Sequence, residues 1–168
     1  MDKEFAALYH KYKQGIFSYV YYLSGDRATA EEICQDVFLK VYLNIARFEG
    51  KSSFKTWIYK IARNTYLDFI KSSKGKEHGR WQELSENLVD KRQGPEELAI
   101  SHERQGLIAK TLSKMDDRYR TFVILRDIQQ LSYREICDIT GHDMSRVKVG
   151  IYRARREFRK IYEELEGK

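Results

Sequence analysis

Apolar side chains recur along most of this chain at the three- and four-residue intervals of a helix face, and strand-like alternation is absent. The pattern predicts an all-α protein. A first helix runs from about Lys3 to Leu23 and stops at Ser24-Gly25-Asp26. A second begins near Ala28 and continues to about Phe48. Its buried seam is Ile33, Val37, Val41 and Ile45, and Glu31 and Glu32 fall in its first turn, where the dipole favours carboxylates. The polar stretch Glu49–Ser53 precedes a third helix, Phe54–Lys71, with Phe54, Ile58, Ile61, Ala62 and Phe69 on one face. Thr56, Lys60, Arg63, Asn64, Leu67 and Lys71 share the opposite face, and Trp57 and Tyr59 stand on its flanks.

The periodicity fails over residues 72–94, which hold three glycines and few spaced apolar groups. They read as a flexible linker with at most a short helix near Trp81–Leu88. Helical spacing resumes at Gly94-Pro95-Glu96-Glu97, with proline at the first helical position, and runs to about Ser113. Arg118–Ile128 follows. Two small helical domains, 1–71 and 95–168, are thus expected about a linker at 72–94, with few contacts between them.

The last stretch is the most informative. Ser132 and Glu135 form an S-x-x-E capping box ahead of a helix with Ile136 and Ile139 inside. Gly141 suits the left-handed turn that ends a helix, and Asp143 or Ser145 can cap the next. That helix buries Val147, Ile151, Ala154, Phe158 and Ile161, while Arg146, Lys148, Arg153, Arg155, Arg156, Arg159 and Lys160 project away. A helix, a glycine turn and a second helix with a cationic outer face form a helix-turn-helix, whose second helix reads base edges through its first turns. That nominates Arg146, Lys148 and Val149, flanked by Tyr152 and Arg153. Arg155, Arg156, Arg159 and Lys160, with Lys114, Arg118, Arg120 and Arg126, are phosphate-contact or solvated positions.

Charge supports a polyanion partner. The net charge is +6. Residues 1–71 carry 11 basic against 8 acidic side chains and residues 110–168 carry 14 against 10, while 72–109 carry 6 against 7. Two basic blocks therefore flank a near-neutral middle, as counterion release on nucleic acid would favour. On the third helix, cations edged by aromatic rings can follow a backbone while the rings stack on unpaired bases. The second helix differs: Glu32, Gln35, Asp36 and Phe38 lie off the seam, and Phe38 among acids suggests a protein-binding face. Cys34 and Cys137 lack ligand-spaced partners and read as buried free thiols of a reducing cytoplasm. No apolar run reaches membrane length, and the N-terminal MDKEFAALYHKY is not expected to be a signal peptide. Carboxylates at Glu31, Glu32 and Asp36 have no nucleophile or phosphate loop beside them, so no catalytic residue, metal, cofactor or small-molecule substrate is expected.

The segment from Leu23 to Lys71 resembles the core-binding and promoter-melting domain of bacterial RNA polymerase sigma factors of the extracytoplasmic-function group. The segment from Met115 to Arg159 resembles that group's −35-reading domain. The resemblance implies that the helix around Ala30–Asn44 docks on the clamp helices of the polymerase largest subunit through Glu32, Gln35, Asp36 and Phe38. The loop Phe48, Glu49, Gly50, Lys51, Ser52, Ser53, Phe54 would hold a flipped −10 base. Thr56, Trp57, Lys60, Arg63 and Asn64 would touch the −10 strands, the last helix would enter the −35 major groove, and the polymerase flap would be a further contact. It also implies a cytoplasmic protein with an anti-sigma partner, often membrane-anchored in that group. The alternative is a stand-alone helix-turn-helix regulator, which has no use for a second DNA surface. The chain departs from the family pattern at Met115 and Asp116, at His142 and Asp143, and on the reading helix at Arg146 and Gly150. Gly150 should weaken that helix by about 1 kcal/mol relative to alanine; no sequence feature accounts for it, and close approach to a phosphate is one candidate.

Overall fold

The computed structural model describes residues 2–72 and 95–167, the side chains of 95–102 excepted. The linker expected at 72–94 and its short helix lie outside the described residues, Ser72 apart. The described chain is all helical: α1 (Asp2–Ser24), α2 (Arg27–Asn44), α3 (Phe54–Lys71), α4 (Pro95–Ser113), α5 (Asp117–Val123), α6 (Tyr133–Thr140) and α7 (Met144–Glu166).

Local chemistry sets the ends. Gly25, at φ 71°, closes α1 with its N–H on the Tyr21 carbonyl at 2.7 Å. Asp26 then caps α2, its carboxylate accepting from the Thr29 N–H at 2.9 Å and the Thr29 hydroxyl at 2.6 Å. The helix therefore starts at Arg27, and Glu31 and Glu32 fall in its second turn. It also stops earlier than its pattern suggests, at Asn44, with a single 3-10 turn at Ile45–Arg47. Ser53 caps α3 by accepting from the Thr56 N–H at 3.1 Å. Each such cap is worth about 1 kcal/mol.

Helix α5 runs into one π turn, Ile124–Ile128, whose Gln129 N–H reaches back to the Ile124 carbonyl at 2.8 Å. Gln130 follows at φ 55°, the one non-glycine with positive φ among the described residues. Steric strain accompanies that conformation.

The N-terminal core is Ile16, Tyr19 and Val20 of α1, Ile33, Val37 and Val41 of α2, and Ile58 and Ala62 of α3. In the C-terminal half, Leu112, Ile124, Leu125, Leu131, Ile136, Val147 and Ile151 are buried together. The two halves pack on each other, contrary to the expectation of few contacts between them: α3 lies against α6, and the π turn against α1. The Tyr59 hydroxyl donates to Gln129 Oε1 at 2.7 Å, and Gln129 Nε2 donates to the Ser18 hydroxyl at 3.3 Å. Gly15 leaves room for this bond, since a Cβ there would sit 3.0 Å from the Tyr59 oxygen. Lys55 pairs with Glu135 at 3.6 Å, and Arg120 Nη1 reaches the Leu23 carbonyl at 3.5 Å.

Candidate nucleic-acid interface

The helix-turn-helix is built as its spacing predicts. The Ser132 hydroxyl accepts from the Glu135 N–H at 3.1 Å, and the Ser132 N–H donates to the Glu135 carboxylate at 3.0 Å. Burial pushes the Glu135 carboxyl up, but its bonds with Ser132 and the nearby Lys55 together outweigh it and hold the carboxyl below its usual range. Gly141 takes φ 74° at the turn. Of the two cap candidates Asp143 is the one used, accepting from the Arg146 N–H at 2.8 Å.

On α7, Val147, Ile151 and Ala154 are buried, and Arg146, Lys148, Val149, Tyr152 and Arg153 all stand exposed on the other side. Tyr152 is 62% exposed and Val149 47%, so both are accessible to a partner. Gly150 faces inward. A Cβ there would lie 2.5 Å from Phe122 Cε2, so ring packing inside the fold, not approach to a phosphate, explains the glycine.

Several basic residues are structural instead of phosphate-facing. Arg120 is 5% exposed; it donates to the carbonyls of Leu112 at 2.8 Å and Met115 at 3.0 Å and pairs with Asp117 at 2.9 Å. It tethers α4 to α5, which corrects its reading as a phosphate contact. Arg126 donates to the Leu131 carbonyl at 2.8 Å and lies 4.8 Å from the Tyr133 ring centre. Arg155 forks onto Asp127 with bonds of 2.7 and 3.1 Å, which raise its pKa further. Lys114, Arg156, Arg159 and Lys160 remain exposed.

The N-terminal surface is partly as expected. Lys60 and Asn64 are exposed, and Trp57 and Arg63 half-buried, along one side of α3. Thr56 and Tyr59 are not on the surface. Thr56 is 3% exposed, its hydroxyl accepting from Ser53 at 3.0 Å in the capping turn; Tyr59 is 5% exposed beneath the C-terminal half. A helix packed on two sides buries a wider arc than one seam predicts. In the 48–54 loop, Phe48, Phe54 and Trp57 form a ring cluster with centroids 5.0 to 5.7 Å apart, and Tyr12 adds to it at 5.4 Å. The rings anchor both ends of the loop. Its tip, Glu49, Gly50 and Lys51, is exposed, with Gly50 at φ 71° and open space where a Cβ would stand.

On α2, Glu32, Gln35 and Asp36 are exposed, but Phe38 is not. It is 7% exposed, its ring 4.8 Å from Tyr9 in an edge contact. The exposed apolar groups of α2 are Leu39, 57% exposed, Tyr42, 40%, and Leu43, 65%. Spacing could have found them: at 100° per residue, Leu39 lies directly opposite the Ile33–Val37–Val41 seam.

Residues 8–75 match Sigma-70 region 2, and residues 105–158 match Sigma-70 region 4. The chain is 32% identical over 168 residues to the ECF RNA polymerase sigma factor SigW of Bacillus subtilis, covering 96% of this chain and 90% of the relative. It is 31% identical to the ECF RNA polymerase sigma-E factor of Escherichia coli strain K12, covering 92% of this chain and 84% of that one. The chain belongs to the ECF RNA polymerase sigma factors. It is therefore a promoter-recognising subunit that works with core RNA polymerase, and the stand-alone regulator is set aside. The fold agrees: the sigma factor RpoE, solved with the anti-sigma factor NepR from Bartonella quintana, superposes with a TM-score of 0.78 at 21% identity, over 96% of this chain and 98% of that one. CnrH, solved with the cytosolic domain of CnrY, gives 0.71 at 18% identity, over 98% and 90%. In this sigma factor the region 2 match spans the helices that carry the loop and α3, and the region 4 match spans the helix-turn-helix. Cys34 and Cys137 are free and half-buried; burial, then Glu31, pushes the Cys34 thiol up to about 12. Among the described residues no helix is long and apolar enough to cross a membrane.

Proposed function

We propose that this sigma factor reads the −35 element through Arg146, Lys148, Val149, Tyr152 and Arg153, and captures −10 bases with Trp57, Lys60, Arg63, Asn64 and the 48–54 loop. Core polymerase is held on the outer face of α2, through Leu39 and Leu43 set among Glu32, Gln35 and Asp36. The observation that carries this is the division of α7: every reading candidate is exposed, while the seam between them is buried. Residues 1–71 and 95–168 then act as the −10 and −35 domains. The protein works in the cytoplasm, contributes no chemistry of its own and needs no cofactor. The neighbours solved with NepR and CnrY support an anti-sigma partner here too.

Closed as it is, the chain cannot use both surfaces at once. The two promoter elements lie ~25 base pairs apart, or ~85 Å at ~3.4 Å per base pair. A compact chain of this length is only about 40 Å across. Opening on core polymerase is therefore part of the function. Run-off transcription with core polymerase, combined with permanganate footprinting, tests the reading. Discrete starts with reactive thymines around −10 are expected, and alanine at Asn64 should reduce that reactivity while leaving −35 protection intact. Tight DNA binding by the free chain, with no transcription from any promoter fragment, would overturn it.

A further inference from the structure

Docking of the halves does more than bury apolar surface. It brings Arg63 of α3 into the same cleft as Arg118, Arg146 and Arg153 of the helix-turn-helix half, a space of about 510 Å³. That volume lies within the roughly 300–1,000 Å³ range of small-ligand sites. Four guanidinium groups line it against one carboxylate, Asp143, which is already engaged in capping α7. Arg118 has its own partner, Asp116, at 3.2 Å. Arg63, Arg146 and Arg153 make no ion pair with another described residue. The N-terminus of α7, with Ser145, also opens here and adds positive potential. Charge from both halves converges on one point. His142, in the same wall, is held below the usual imidazole range by burial and then by Arg146 and Arg63, which belong to different halves.

We propose that this cleft is a composite binding site for a compact oligophosphate, whose charges bridge Arg63 on one half to Arg146 and Arg153 on the other. A chain of three phosphates carries more charge than a single phosphate and spreads it along its length, so it can meet guanidinium groups on both halves. A duplex would have to prise the halves apart to enter. The anion therefore binds the closed chain and not the open one, and by linkage it opposes promoter binding. The site depends on the closed geometry and not on the assignment of promoter bases.

Isothermal titration of the full chain with sodium tripolyphosphate, at fixed ionic strength, tests it. One anion per chain is expected, bound about tenfold or more tighter than orthophosphate. Arg63→Gln, at a half-buried position, and Arg146→Gln, at an exposed one, should each keep the fold by circular dichroism and weaken binding about tenfold, while Arg159→Gln, outside the cleft, should change it less than about twofold. Equal losses for all three variants, or several anions per chain, would show diffuse attraction to a basic protein and overturn the site. A loss with Arg146→Gln but none with Arg63→Gln would overturn it as well, by confining the anion to the reading helix. Run-off transcription by the same wild-type preparation separates the two readings: normal initiation with no anion uptake removes the oligophosphate site alone.

Discussion

The Phe122 ring lies where the Cβ of an alanine at position 150 would stand, and Phe122 is itself buried. Two effects oppose each other in Gly150→Ala. Helix propensity favours alanine by about 1 kcal/mol. Overpacking a filled core costs about 1–3 kcal/mol. At 2.5 Å the overlap is too large for a small shift, so overpacking wins. Urea unfolding should show Gly150→Ala less stable by about 1 kcal/mol or more, with most of the loss recovered when Phe122 is also shortened to leucine. A stabilised single variant would mean the ring moves freely and the glycine has another cause. Phe38 and Leu39 pose a second residue-scale test. Leu39→Ala should leave stability nearly unchanged and weaken core polymerase binding by about 1–2 kcal/mol. Phe38→Ala should instead destabilise the fold by about 3 kcal/mol or more, because it empties a filled site beside Tyr9. Competition binding to core together with thermal melts distinguishes them, and a silent Leu39 would move the docking face elsewhere.

At the scale of elements, what could be read from sequence was what is local. The capping box at Ser132 and Glu135, the Gly141 turn and the cationic face of α7 are all set by residues within a few positions of one another. Periodicity also placed the seams of α2 and α3. It does not place Phe38, an aromatic at the edge of the seam: the Tyr9 ring that covers it comes from α1, and no spacing within α2 reveals it. Tyr59 is hidden for a related reason, since α3 carries a second packed side, against α6, and Thr56 is turned into the capping turn with Ser53. The π turn at Ile124–Ile128 and the left-handed Gln130 leave no mark in the hydrophobic pattern. Arginines are the hardest to assign. Arg120 and Arg146 look alike in sequence, yet one is inside binding carbonyls and the other is exposed.

For the whole molecule, the decisive feature is the bond between Tyr59 and Gln129, residues 70 apart in sequence. It joins the halves at the strained end of the π turn, and its environment is closed in by Gly15. Removing the hydroxyl with Tyr59→Phe leaves the Gln129 carbonyl with one fewer buried partner, at a cost of about 1 kcal/mol. Gly15→Ala should press on the same bond from the other side. Both variants should shift the free chain toward an extended form, seen as a larger radius of gyration in small-angle scattering, with helix content unchanged. Scattering curves identical to wild type in both would show that apolar packing alone holds the halves together. Opened variants should also bind promoter DNA better without core polymerase.

Promoter choice rests with α7. Run-off transcription by reconstituted holoenzyme on a library with a randomised −35 element decides this, comparing wild type, Arg146→Ala and Arg159→Ala. Arg146→Ala should relax preference at one base pair by about 1–3 kcal/mol. Arg159→Ala should leave the preferred sequence intact, weaken every promoter alike and lower the salt slope by about one unit. A changed base preference in Arg159→Ala, with Arg146→Ala indistinguishable from wild type, would place the reading face on a different part of the helix.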